Sequence, residues 1–170
     1  CKSYKMIRWV EKNRKKEYTC SMKKMYIIIE KQNELGNLKS ALEQLRIKGV
    51  EVFWSGSPLP LLTGDSPEEG EISDVRDIFV LTDIPQIASL LAEGGYPVLV
   101  YVHAENKEMR LPHIKYVIEG FEDVDGEYFC RVWQRLTEKP WFITETERCI
   151  IRETTESDVD AFYEIYKEPS

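Results

Sequence analysis

The chain is 170 residues long, 42% hydrophobic and 31% charged, with a net charge of -7. That is enough chain to bury a sizeable core without disulfide staples, and the hydrophobic fraction excludes a disordered polymer. The longest apolar runs, such as Pro97 to Val102, are far too short to span a bilayer, so no membrane partner is expected.

Charge is unevenly placed. Residues 1–24 carry nine Lys/Arg against Glu11 and Glu17, a net of +7, and the remainder carries -14. An acidic body repels phosphate backbones and anionic lipid surfaces, and few aromatic residues interleave the basic arm, so nucleic-acid binding is not expected. Residues 1–24 read as a basic helical segment, with Tyr4, Ile7 and Val10 at helical spacing. The chain opens on Cys1 and closes on Ser170 directly after a helical pattern, so both ends are expected to be cut. Met22 and Met25 are candidate starts, and residues 1–21 are either the tail of a preceding helix or upstream sequence.

Met25 to Glu30 is a β-branched run suited to a strand buried on both faces. Leu38, Ala41, Leu42 and Leu45 follow at helical spacing, and Gly49 ends that helix. Val50 to Trp54 is a second strand, Ser55 to Ser73 a Pro/Gly/Ser-rich loop, and Asp77 to Leu81 a third strand. Asp83 is expected to cap the next helix, with Ile87, Leu90 and Leu91 inward and Gly94-Gly95 stopping it. Pro97 to Val102 and Lys115 to Ile118 are strands four and five, followed by a helix over 127–136 in which Cys130 reads as a small buried hydrophobe. Glu122, Asp123 and Asp125 precede that helix, where acids suit the macrodipole better than a metal.

Strands alternating with single helices predict an α/β fold: a Rossmann-like, mainly parallel sheet with helices on both faces, over residues 25–137. Ligands on such sheets bind beyond the carboxyl ends of the strands, here 30–33, 55–57, 82–83 and 103–106. The candidate pocket residues are therefore Ser55, Thr82, Asp83 and His103. His103 is a candidate general base, although a histidine in a polar loop is more often an ordinary surface residue. No dinucleotide fingerprint, phosphate-binding P-loop or nucleophile elbow is present. The four cysteines, at 1, 20, 130 and 149, lack metal-ligand or redox spacing, and His103 and His113 are the two histidines, so no metal is expected. Residues 1–24 lack the apolar core of a signal peptide, and reduced thiols in the cytoplasm are the expectation.

Residues 138–147 read as a linker. Arg148 to Glu153 then reads as a strand, and Thr155 with Asp158 forms a capping box for a helix whose Val159, Phe162, Tyr163 and Tyr166 share one face. Such a β-α unit needs a partner to bury that face.

Two resemblances attach to these segments. The alternation and the segment Asp77 to Val102 resemble the haloacid-dehalogenase-like branch of Rossmann-type domains. That superfamily carries Asp-x-Asp after strand one; Glu30-Lys31-Gln32 stands there instead, which implies a non-catalytic relative. The stretch Thr146 to Glu153, followed by Glu156 to Tyr166, resembles the opening strand and helix of a GNAT-type acyl-CoA N-acyltransferase. The diagnostic Gln/Arg-x-x-Gly-x-Gly/Ala loop is absent and would lie downstream of Ser170. The order of the two parts is similar to bacterial proteins that place a haloacid-dehalogenase-like domain before such an enzyme. The resemblance implies acetyl-CoA as co-substrate, a small-molecule amine as acceptor, residues 148–170 as the start of the enzyme domain, and no activity in this stretch alone. A dimer is compatible with it. Two other readings stay open: a small phosphohydrolase with Asp83 as nucleophile, and a ligand-binding module of receiver or flavodoxin type.

Overall fold

The computed structural model describes residues 20–31, 35–55, 74–146 and 148–167. The helical pattern read at Tyr4, Ile7 and Val10, and nearly all of the loop read over 55–73, lie outside these. The described chain divides into a unit spanning Ser21–Thr137 and a second that includes Glu138–Ser170.

The first unit is a Rossmann-like α/β fold. Its strands are β1 (Lys24–Ile28), β2 (Glu51–Trp54), β3 (Ile78–Thr82), β4 (Val98–Tyr101) and β5 (Tyr116–Ile118), in the order β2-β1-β3-β4-β5 with every pairing parallel. This is the doubly wound order of flavodoxin-type sheets, which places the topological switch point between β1 and β3. Burial on both faces explains why β1, β3 and β4 read as continuous apolar runs rather than alternating ones.

Helices α1 (Leu38–Ile47), α2 (Pro85–Glu93) and α3 (Gly126–Leu136) cover the sheet. Ala88 and Leu91 of α2 pack on Tyr26, Ile28, Ile78, Val80, Val98 and Val100, and Leu111 and Ile114 of the β4–β5 connection extend that cover. The alternate residues Met25, Ile27, Phe79, Leu81 and Leu99 are buried as well. Phe79 meets Phe129 of α3 edge to face at 6.3 Å, and α1 lies against α3, where the Gly126 amide donates to Gln44 Oε1. Asp125 caps α3 through the Tyr128 amide (2.8 Å), and Trp133 is wholly buried with its indole N–H donating to the Arg76 carbonyl. Cys130 is buried, as its apolar neighbours implied.

Three details differ from the sequence reading. Leu90 faces solvent: at 100° per residue it stands about 200° from Ala88, which sits on the core side, whereas Leu91 is buried and Ile87 is partly buried against the same cluster, as expected. Asp83 does not cap α2. The N-cap is Ile84, without a side-chain cap bond, and Pro85 in the first turn removes one amide that would need an acceptor. The Asp83 carboxylate is engaged elsewhere, as described below.

The third concerns the second unit. β6 (Phe142–Glu145) lies within the segment read as a linker and pairs antiparallel with β7 (Ile150–Arg152). Thr146 Oγ1 accepts from the Cys149 amide at 3.1 Å, closing the turn between the two strands. α4 (Val159–Lys167) follows a short 3₁₀ turn over Glu156–Asp158. Asp158 accepts from the Thr155 amide (2.8 Å) and takes a bidentate pair from Arg152 (2.7 and 2.5 Å), so strand and helix are clamped by one carboxylate. The Arg152 guanidinium, and then the Thr155 amide, hold that carboxyl well below the usual range. Val159, Phe162, Tyr163 and Tyr166 are all exposed. Among the described residues no helix is long and apolar enough to cross a membrane.

Candidate functional site

A parallel sheet brings the carboxyl ends of its strands to one edge, and here the switch point falls between the ends of β1 and β3. β3 ends in Thr82, which pairs with Ile28 of β1 and Val100 of β4 and is fully buried. Its hydroxyl accepts from the Ile84 amide (3.2 Å), turning the chain into α2. Asp83 therefore emerges in the crevice.

The Asp83 side chain is only 2% exposed. Oδ1 accepts from the Glu30 amide at 3.0 Å, and Oδ2 accepts from the Lys31 amide at 2.9 Å and the Glu30 amide at 3.2 Å. A buried carboxylate is tolerated only when hydrogen-bonded, and these two amides at the end of β1 satisfy it. These two amides, which point toward the switch point, are thus taken by the chain's own anion.

Asn106 ties the β4–β5 connection to the same place. It is 4% exposed, its Nδ2 donates to the Asp83 carbonyl (2.8 Å) and the Tyr101 carbonyl (2.9 Å), and its Oδ1 accepts from the His103 amide (2.8 Å). His103 is not the open surface residue its polar loop suggested. Its side chain is 15% exposed, its ring lies 5.5 Å from that of Tyr101, and Nε2 is 3.7 Å from Asp83 Oδ2. Nδ1 accepts from the Glu105 amide (3.3 Å), which in the neutral ring leaves the proton on Nε2, toward Asp83. At 3.7 Å this is an electrostatic contact and not a hydrogen bond. Lys31 and Glu105 pair across the outside; that contact lowers the Glu105 carboxyl below its ordinary value and raises the Lys31 ammonium.

Of the four candidate residues, Thr82, Asp83 and His103 converge, and Ser55 does not. Ser55 follows β2, on the far side of β1, and its amide donates to the Ile27 carbonyl. Among the described residues the converging three present no nucleophile–base pair at hydrogen-bond distance. A nucleophile needs an accessible oxygen, and both oxygens of Asp83 are hydrogen-bonded and covered; a base needs a ring that reaches a substrate, and only 15% of the His103 side chain is exposed. The arrangement is a structural latch. Lys31, Glu105 and Asn106 were within the strand-end segments but carried no motif to single them out, because their roles depend on contacts across roughly fifty or more positions for two of them.

A second feature lies along the same edge, between α1 and β2. A hollow of about 350 Å³ is lined, among the described residues, by Leu35, Gly36, Lys39 and Trp54. Gly36 has φ of +41°, and a Cβ there would come within 3.2 Å of the Phe121 backbone carbonyl carbon. The Asn37 amide donates to the Phe121 carbonyl at 3.1 Å, and the Asn37 side-chain amide donates to the Glu122 carbonyl. These bonds fasten the floor of the hollow to the β5–α3 loop. Among the described residues no group of three or more His, Cys, Asp or Glu converges as a metal site.

Compared with protein-family models, with curated proteins and with solved structures, the chain matches none.

Proposed function

We propose that this chain is the amino-terminal part of a GNAT-type N-acetyltransferase, with the parallel-sheet unit as a non-catalytic accessory domain and β7 with α4 as the opening of the enzyme domain. The parent protein would transfer acetyl from acetyl-CoA to a small-molecule amine. What carries the reading is the β7–α4 unit: the Glu147-Arg148 to Arg152 pattern with its Arg152–Asp158 clamp, followed by a helix whose aromatic face, Phe162, Tyr163 and Tyr166, is exposed. Exposed aromatic rows on one helix face call for a covering layer, and the remaining sheet of such an enzyme is the occupant this reading supplies. The accessory domain has a role of orientation or of ligand-dependent regulation. Enzymes of this type work chiefly by holding thioester and amine together while a base takes the amine proton.

The test is to read the coding sequence past Ser170. A Gln/Arg-x-x-Gly-x-Gly/Ala run between a strand and a helix, with acetyl-CoA binding by the full-length protein, supports the reading; a stop codon directly after Ser170 sinks it. In the full-length enzyme, deleting 22–137 is expected to lower activity, and unchanged kinetics would remove the accessory role.

A second reading, a ligand-binding module of flavodoxin or receiver type, is favoured by the strand order β2-β1-β3-β4-β5. Tight flavin binding without turnover would support it.

A further inference from the structure

The switch-point crevice already holds an anion, Asp83, with both oxygens on the Glu30 and Lys31 amides. The hollow beside β2 offers a second place for a ligand at this edge of the sheet, away from those two amides. Its chemistry is specific. Trp54 ends the edge strand β2 on the same side as Ile27 and is 42% exposed, whereas Trp133 is wholly buried. A half-bared indole on a rigid strand is a stacking platform for a flat ring. Lys39, in the first turn of α1, is exposed and makes no ion pair among the described residues. No carboxylate lines the hollow among those residues. The floor at Gly36 and Asn37 is fixed by the bonds to Phe121 and Glu122, so little ordering cost accompanies occupation. The volume of about 350 Å³ lies at the lower end of the range for small-molecule sites.

We infer that this hollow binds a small molecule in which a flat heterocyclic ring carries an anionic group, of the class of a nucleoside monophosphate: the ring stacks on Trp54 and the anion meets Lys39. The inference is independent of the acetyltransferase reading and concerns the Ser21–Thr137 unit alone.

The experiment is a nitrogen–proton correlation titration of the 170-residue chain, following the indole N–H of Trp54, assigned from the Trp54→Phe variant. Adenosine 5′-monophosphate is expected to shift that signal and to saturate. Adenosine, lacking the anion, is expected to bind about tenfold more weakly, a difference of ~1.4 kcal/mol. Ribose 5-phosphate, lacking the ring, is expected to leave the Trp54 signal in place. Lys39→Gln, an exposed substitution with no packing to lose, should weaken adenosine 5′-monophosphate to the level of adenosine and leave adenosine unchanged. Absence of any Trp54 shift with the nucleotide at millimolar concentration overturns the site. Equal binding of nucleotide and nucleoside, or indifference to Lys39→Gln, overturns the assignment of the anion.

Discussion

Replacing Asp83 by alanine removes the anion that fastens the end of β1 to the end of β3. Two backbone amides lose a charged acceptor, Glu30 at 3.0 Å and Lys31 at 2.9 Å. Hydrogen bonds to charged groups contribute roughly 1.5–3 kcal/mol each, which sets a ceiling near 3–6 kcal/mol. Glu30 and Lys31 are themselves exposed, so water recovers part of that loss, and a destabilisation of about 2–4 kcal/mol is expected. Native-state hydrogen exchange is the suitable assay, because amides in β1 and β3 report the opening of this sheet without averaging over the second unit. Tyr26, Ile27 and Val80 amides should exchange from a state about 2–4 kcal/mol closer in free energy than in the parent protein. Asp83→Asn should fall between the two, since one carboxamide oxygen still accepts while its NH2 is set against an amide donor. A loss below about 1 kcal/mol in the alanine variant would refute the view of Asp83 as a structural latch and return it to the list of reactive candidates.

Further outcomes follow from the same geometry. Trp133→Ala deletes a wholly buried ring together with its indole hydrogen bond to the Arg76 carbonyl, and should cost about 3–5 kcal/mol in denaturant unfolding of the sheet unit; a loss under 1 kcal/mol would contradict the packing. Gly36→Ala meets both a φ of +41° and the Phe121 backbone at 3.2 Å, so a loss of roughly 1–2 kcal/mol is expected, and a stabilised variant would be inconsistent with that turn. The Asp158 carboxyl is depressed by Arg152 and Thr155, so its support for the β7–α4 clamp is present above the ordinary carboxylate pKa of ~3.9 and fades as pH falls from there through its lower folded value. Carbon-13 titration should find Asp158 still ionised near ~pH 3, where free aspartates are largely protonated, and Arg152→Gln should bring it back to the ordinary range; a normal titration in the parent chain would dismiss the clamp.

What the linear chain determined is the architecture of the first unit. The apolar runs at 25–29, 78–81 and 98–102 read as strands, and the helical spacing at Leu38, Ala41, Leu42 and Leu45 with Gly49 beyond it set α1 and its end. Local chemistry suffices for such features, because burial period and turn preference act over a few residues. It also suffices for the Thr155–Asp158 box, whose partners are three residues apart. It did not suffice at Asp83. By its neighbours alone this residue is a helix cap, and the competing acceptor role exists only because β1, more than fifty positions earlier, lies alongside β3. The same holds for His103, drawn inward by Asn106 and Tyr101, and for Trp54, left half-bare because β2 became the edge of the sheet. β6 is not legible in the sequence because a four-residue strand signals itself chiefly through the strand it pairs with. Sequence settles which segments prefer which backbone; only the packed sheet decides which of two satisfied partners a polar side chain takes, since that choice depends on groups brought together from distant parts of the chain.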